Sequence, residues 1–203
     1  VASAYGSHAE GTHTLASKLS SHAEGSGSLA SGLAAHSEGY VTTASGEYSH
    51  AEGFAVLASG RFSHAEGYGS LASGLGSHAE GLFTTASAQY ARTLGRQTTG
   101  SGDYSFAQGY GSDTTGIYSH AQGYFTTAEG AAAHSEGLFT SASGDYSHAE
   151  GYYTTASHSY SHAEGQGSVA KAGAAHAEGY YTTASGGAAH SEGYFTLASG
   201  NRS

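Results

Sequence analysis

Residues 147–157 read SHAEGYYTTAS, and residues 63–74 read SHAEGYGSLASG. These stretches decide the fold, because their pattern recurs along the whole chain. Stepping by fourteen from His8 gives His22, His36, His50, His64, His78, Arg92, Phe106, His120, His134, His148, His162, His176 and His190. Three residues beyond every step stands Gly, from Gly11 through Gly95 and Gly109 to Gly193. No insertion breaks the register across the 14 copies. Such a fixed period is the mark of a repeat architecture. The reading is a single array over residues 1–203, with its least regular copies at 89–122.

Each copy is itself double, since both halves follow x-x-[ST]-x-A-x-G. Two heptads would also give a period of fourteen. However, Gly, Ser and Thr occupy the positions that a coiled-coil seam needs apolar, so helix is excluded. Within each half the alternation has period two. Ser and Ala point one way, and His and Glu, or Thr and Ser, point the other. Each half is read as a strand of about five residues followed by a corner entered through Gly, which takes positive φ without steric cost. Two halves close one coil. The expected class is all-β, a β-solenoid or parallel β-roll of fourteen coils, roughly 70 Å long at ~4.8 Å per coil.

Composition fits such a roll and little else. The chain has 33 Gly, no Pro, Cys, Met or Trp, and a formal charge of −10 with His neutral. Val, Ile, Leu and Phe number 4 + 1 + 11 + 7 = 23 of 203 residues, too few for an ordinary globular core. Collagen is excluded by the absence of Pro and of a three-residue Gly period. No apolar run approaches ~20 residues, so no membrane insertion is expected. With no signal peptide and Val1 at the start, the chain reads as a segment of something longer. Six Lys and Arg argue against a nucleic-acid partner.

The inward positions are small throughout, such as Ser147, Ala149, Thr154 and Ala156. A core of methyl and hydroxyl groups stabilises little, so a second buried surface is expected, supplied by association around a threefold axis. One outer face carries Tyr-x-His-x-Glu, as at Tyr146, His148 and Glu150; the other carries Tyr153, Thr155 and Ser157. Arg92, Leu94, Phe106, Gln108 and Gln122 interrupt the first, while Asp113, Glu129 and Lys171 interrupt the second. This contrast favours the His/Glu face at the subunit interface. On the second face, small residues after the corner (Gly27, Ala55, Gly69, Gly167) precede Leu29, Leu57, Leu71 and Val169, which reads as volume compensation within a coil.

The His and Glu columns are read as a structural ladder: His50 with Glu52, His64 with Glu66, His148 with Glu150, His162 with Glu164. Stacked carboxylates repel unless neutralised, and two of the three copies lacking Glu also lack His. The pairing predicts His pKa values above normal, and with twelve column His protonated the charge becomes −10 + 12 = +2. No catalytic group, cofactor or metal is assigned. The alternative metal set is the column itself (His8, His22, His36, His50, His64, His78, His120, His134, His148, His162, His176, His190), which offers imidazole to zinc or nickel. A Ser-His-Glu triad is disfavoured, because Ser faces away from His and twelve near-copies make no single shaped site. An ice-binding array fails on the Leu residues that interrupt Thr43, Thr85, Thr99, Thr127, Thr155 and Thr183. Tyr and Phe are read as ladders that stabilise the stack.

The doubled motif resembles the head of trimeric autotransporter adhesins, the YadA-like left-handed parallel β-roll. SHAEG arrays also resemble phage and prophage tail-fibre or spike proteins. The resemblance covers nearly the whole chain. It implies a homotrimer, left-handed coils, and an extracellular place at a cell surface or in a virion tail. The implied function is a rigid fibre segment, an adhesin head or spacer, with a host surface protein or glycan as receptor. One departure stands out. Where the adhesin heads carry Val and Ile on the strand facing the threefold axis, this chain has His and Glu.

Overall fold

A computed structural model describes all 203 residues. They divide into two units, Val1–Gly100 and Ser101–Ser203. Each is an all-β parallel solenoid with no helix. In the first unit, long strands from His8–Thr12 to Arg92–Arg96 form one parallel sheet, and short strands from Leu15–Ala16 to Thr99–Gly100 form a second. In the second unit the corresponding strands run from Phe106–Tyr110 to His190–Tyr194 and from Asp113–Thr114 to Leu197–Ala198. Every coil thus contributes two strands.

The register is in step with the repeat. His50 lies beside His64, Ala51 beside Ala65, and Glu52 beside Glu66. The same holds at His148, Ala149 and Glu150 against His162, Ala163 and Glu164. Backbone bonds run from coil to coil, as from His36 N–H to the Ser49 carbonyl (2.9 Å) and from Thr43 N–H to the Val56 carbonyl (2.8 Å).

The expected inward positions are the core. Ala51, Ala58, Ala149 and Ala156 are fully buried, and Val56, at 1% exposure, is the largest buried side chain. Many buried Ser and Thr bond to one another or to backbone, which removes the cost of unpaired hydroxyls there, while the Oγ1 atoms of Thr93, Thr98 and Thr154 are buried without a partner. Thr42 Oγ1 donates to Ser28 Oγ (3.0 Å), and Ser28 Oγ donates to the Gly39 carbonyl (3.1 Å). Thr182 and Ser168 repeat this arrangement in the second unit.

Two expectations about the coil need correction. The halves are unequal, with five residues in one strand and two in the other. The short strand stops because the chain folds back at once. Ser49 N–H and Ser49 Oγ both donate to the Gly46 carbonyl, at 3.3 and 2.7 Å, closing a tight turn. The inward Ser before the column His is therefore also the clasp of that turn.

The second correction concerns the corners. The column Gly does take positive φ, +127° at Gly81. Yet the left-handed corner residues lie two positions beyond it and two before the column His, and most are not Gly. Tyr48 (φ 59°), Phe83 (φ 55°), Tyr153 (φ 54°) and even β-branched Val41 (φ 54°) adopt this conformation. Stacking pays for the strain, since each corner amide is held by the preceding coil, as Tyr48 N–H is by the Leu33 carbonyl at 2.8 Å.

Volume compensation also runs between coils. A Cβ on Gly69 would lie 2.6 Å from the Phe83 ring, and Gly111 stands in the same relation to Phe125. Phe83 and Phe125 each cover the glycine one coil before them.

The column Gly has a further constraint that predicts a large mutational effect. A Cβ on Gly81 would sit 2.0 Å from the Gly95 carbonyl oxygen. Gly81→Ala therefore combines a backbone clash with an unfavourable φ, and a loss of at least ~1–3 kcal/mol is expected in denaturant melts. Gly187→Ala, whose Cβ would meet only Asn201 Oδ1 at 3.5 Å, is expected to stay within about 0.5 kcal/mol of the parent.

Candidate functional site

The long strands point His and Glu outward on either side of a buried Ala. In the first unit the Nε2–Oε2 separation is 3.7 Å at His22 and Glu24, 3.8 Å at His50 and Glu52, and 3.6 Å at His64 and Glu66. In the second it is 3.4 Å at His148 and Glu150 and 3.6 Å at His162 and Glu164. The pairs at His8, His36, His78, His134, His176 and His190 fall between 3.4 and 3.9 Å. Most are longer than a good hydrogen bond.

Along each column the imidazoles stack, 4.7 Å apart at His22 and His36 and 4.8 Å at His148 and His162. Phe106 keeps this stack at His120, with ring centroids 5.0 Å apart. Stacking covers the rings, so charge on them is poorly solvated. Burial, followed by the neighbouring imidazoles, holds His50 and His176 below the ordinary imidazole value; the Glu partners pull upward and lose. His78 and His120 are lowered for the same leading reason. The upward shift expected from the pairing is therefore reversed at these four positions. The sequence showed the carboxylate partner but not the desolvation or the like-charged neighbours above and below.

Asp113 is one of the charges that interrupt the second outer face. It is half-buried, and burial pushes its carboxyl up, with Glu129 adding to the effect. No feature of the repeat marks it except its departure from the Thr/Leu column.

The aromatic side chains form rows at the corners. Tyr40, Phe54 and Tyr68 stack at 5.0 and 4.8 Å in the first unit. Phe125, Phe139 and Tyr153 stack at 5.7 and 4.8 Å in the second, where Tyr152 meets Tyr153 edge-on. On the other corner, Tyr48 stacks on Phe62 and the Arg61 guanidinium lies 4.7 Å from the Phe62 ring centre. Many of these rings stay about half exposed, Tyr48 at 48% and Tyr153 at 51%. They support the stack and still offer apolar surface to solvent.

Residues 58–87 and 177–203 match the YadA head domain repeat, in two copies. These segments are YadA-like head repeats, and the same fourteen-residue pattern continues through the other copies. The matched segments contain the columns at His64, His78 and His190, so they include the His/Glu copies. YadA head domains form trimers and lie exposed outside the cell as adhesin modules. Such repeats, and the solenoid they build, are structural rather than catalytic units. The match gives no support to a place in a virion tail or to the SHAEG relation with phage fibres. No curated protein matches the chain. No helix is long and apolar enough to cross a membrane.

The lowered imidazoles of His50, His78, His120 and His176 predict a fold that loses stability in acid. A His whose pKa falls on folding binds fewer protons folded than unfolded, so stability rises with pH. The stability it contributes is complete above the ordinary value of 6.5 and is lost as pH falls below it. The melting temperature is expected to drop between pH 7.5 and 5. Glu38→Gln with Glu52→Gln removes the two carboxylates that raise His50. That pair of changes is expected to enlarge the drop, and an identical pH profile would show that His and Glu do not interact.

Proposed function

We propose that this chain is a rigid segment of an extracellular adhesin fibre, assembled as a homotrimer, and that it serves as head surface rather than as catalyst. The observation that carries the reading is the core. It consists of Ala, Ser and Thr with one Val, while the large Tyr and Phe side chains stand outside. Such a core is too thin to enclose a substrate, and it leaves the apolar area where other molecules meet it. The YadA-like repeat supports the trimer, and the small gain from each buried methyl supplies a physical reason for association.

The structural role of the His/Glu ladder belongs to the same reading. Ladder stacking keeps one chemical surface constant from coil to coil, so a partner meets a repeated pattern rather than a pocket. The receptor class we favour is a host surface protein or glycan, engaged at the aromatic corners. Tyr152 and Tyr153, set edge to face, are an example of such a patch.

Light scattering of the purified chain is expected to give three times the chain mass, independent of concentration in the micromolar range. A monomer would overturn the trimer. Binding to arrays of host glycans and matrix proteins is expected to fall at least tenfold on Tyr152→Ser with Tyr153→Ser. No binding by the parent chain would leave the segment a spacer.

A further inference from the structure

The His columns hold a row of polar atoms without partners. The Nε2 atoms of His22, His36, His50 and His64 are buried and make no hydrogen bond, as are those of His120, His134, His162 and His176. Buried polar atoms normally find partners, and a repeated exception points to a missing one. What faces the nitrogen in all of these but His120, which has Gln122 in that place, is a carboxylate oxygen, 3.7 Å away at His22 and Glu24 and 3.9 Å away at His36 and Glu38. That gap is long for a hydrogen bond and close to what two ligands of one ion require. Zinc binds imidazole nitrogen and carboxylate oxygen at about 2.0–2.2 Å, which in tetrahedral geometry separates the two donors by roughly 3.3–3.5 Å.

One place adds a third donor. Ligand atoms of His22, Glu24 and His36 all lie within 4.8 Å of one another. The two rings are parallel to within 2° at 4.7 Å, whereas His8 is turned edge-on to His22 at 88°. The parallel stack therefore ends at His22, and a shared ion requires one of the two rings to tilt toward the other. Glu38 pairs with His36 at 3.9 Å but lies outside that group of three. The donor set is nitrogen and oxygen with no thiolate, which suits zinc, nickel or copper among divalent ions.

We propose that His22, Glu24 and His36 form a three-residue binding site for a divalent transition-metal ion. The ion bridges two successive coils, joining residues fourteen apart in sequence. It binds through the nitrogens that the fold leaves unpartnered.

The chain itself supplies the variants for a test. Phe stands in the His column at Phe106 and stacks there, and Gln stands in the Glu column at Gln108 and Gln122. His22→Phe with His36→Phe keeps the rings and removes the nitrogens, and Glu24→Gln keeps the shape and removes the charge. Cobalt(II) added to the metal-free full-length chain is expected to give the visible absorption of a tetrahedral nitrogen–oxygen site. Zinc is expected to abolish that absorption. Both variants are expected to weaken zinc by at least tenfold with unchanged circular dichroism, while His162→Phe with His176→Phe leaves the site intact. Absence of cobalt absorption, or zinc binding unchanged in the double His variant, would overturn the proposal. If that variant does not fold, anomalous diffraction at the zinc edge from crystals of the unaltered chain decides. A peak between His22 and His36 supports the site, and peaks only elsewhere reject it.

Discussion

Stacking in register forces every column to tolerate contact with itself. Within each unit a residue lies against its equivalent fourteen positions on, as His50 lies against His64 and Gly67 against Gly81. Each column must therefore suit itself as a neighbour. Gly does so in the tightest column because no Cβ fits beneath the next carbonyl. Ala does so in the core, and flat rings do so at the corners. Large branched side chains suit few of these places, and the scarcity of Leu, Ile and Val follows. The composition that suggests a disordered chain is the composition this geometry selects.

The reading of faces from sequence succeeds because it depends only on the two-residue alternation, which the backbone enforces. Ser147 and Ala149 had to share a side, and they are both buried. The corners were less legible. A left-handed residue is normally betrayed by Gly or Asn, but Tyr48, Phe83 and Val41 carry no such cue. Their conformation comes from the coil beneath, which sequence spacing does not display. The short second strand was hidden for a similar reason, since Ser49 is at once an inward core residue and the acceptor-seeking clasp of a turn. Strand length is then decided by a side-chain bond, not by the alternation.

The His and Glu columns show where pairwise reasoning stops. A His beside a Glu, taken alone, gains a proton more easily. Stacked between two further imidazoles and partly withdrawn from water, His50 and His176 do the reverse. The sign depends on neighbours fourteen residues away in both directions, so it becomes visible only when the coils are placed on one another. The ring nitrogen and carboxylate that face each other at an awkward distance belong to one copy, as at His22 and Glu24, and it is the second imidazole, His36, that the stacking brings to them.

The rings that lie across glycines of the preceding coil have a consequence for how such an array changes length. Phe83 covers Gly69, Phe125 covers Gly111, and Tyr181 covers Gly167. Copies of the repeat are thus not interchangeable beads. Excising the coil of Phe83 alone would set Gly69 under Gln97 and open a gap in the corner, whereas duplicating the two coils together carries the fit along with them. Gene slippage in this sequence is then expected to preserve ordered pairs, with the glycine copy always written first.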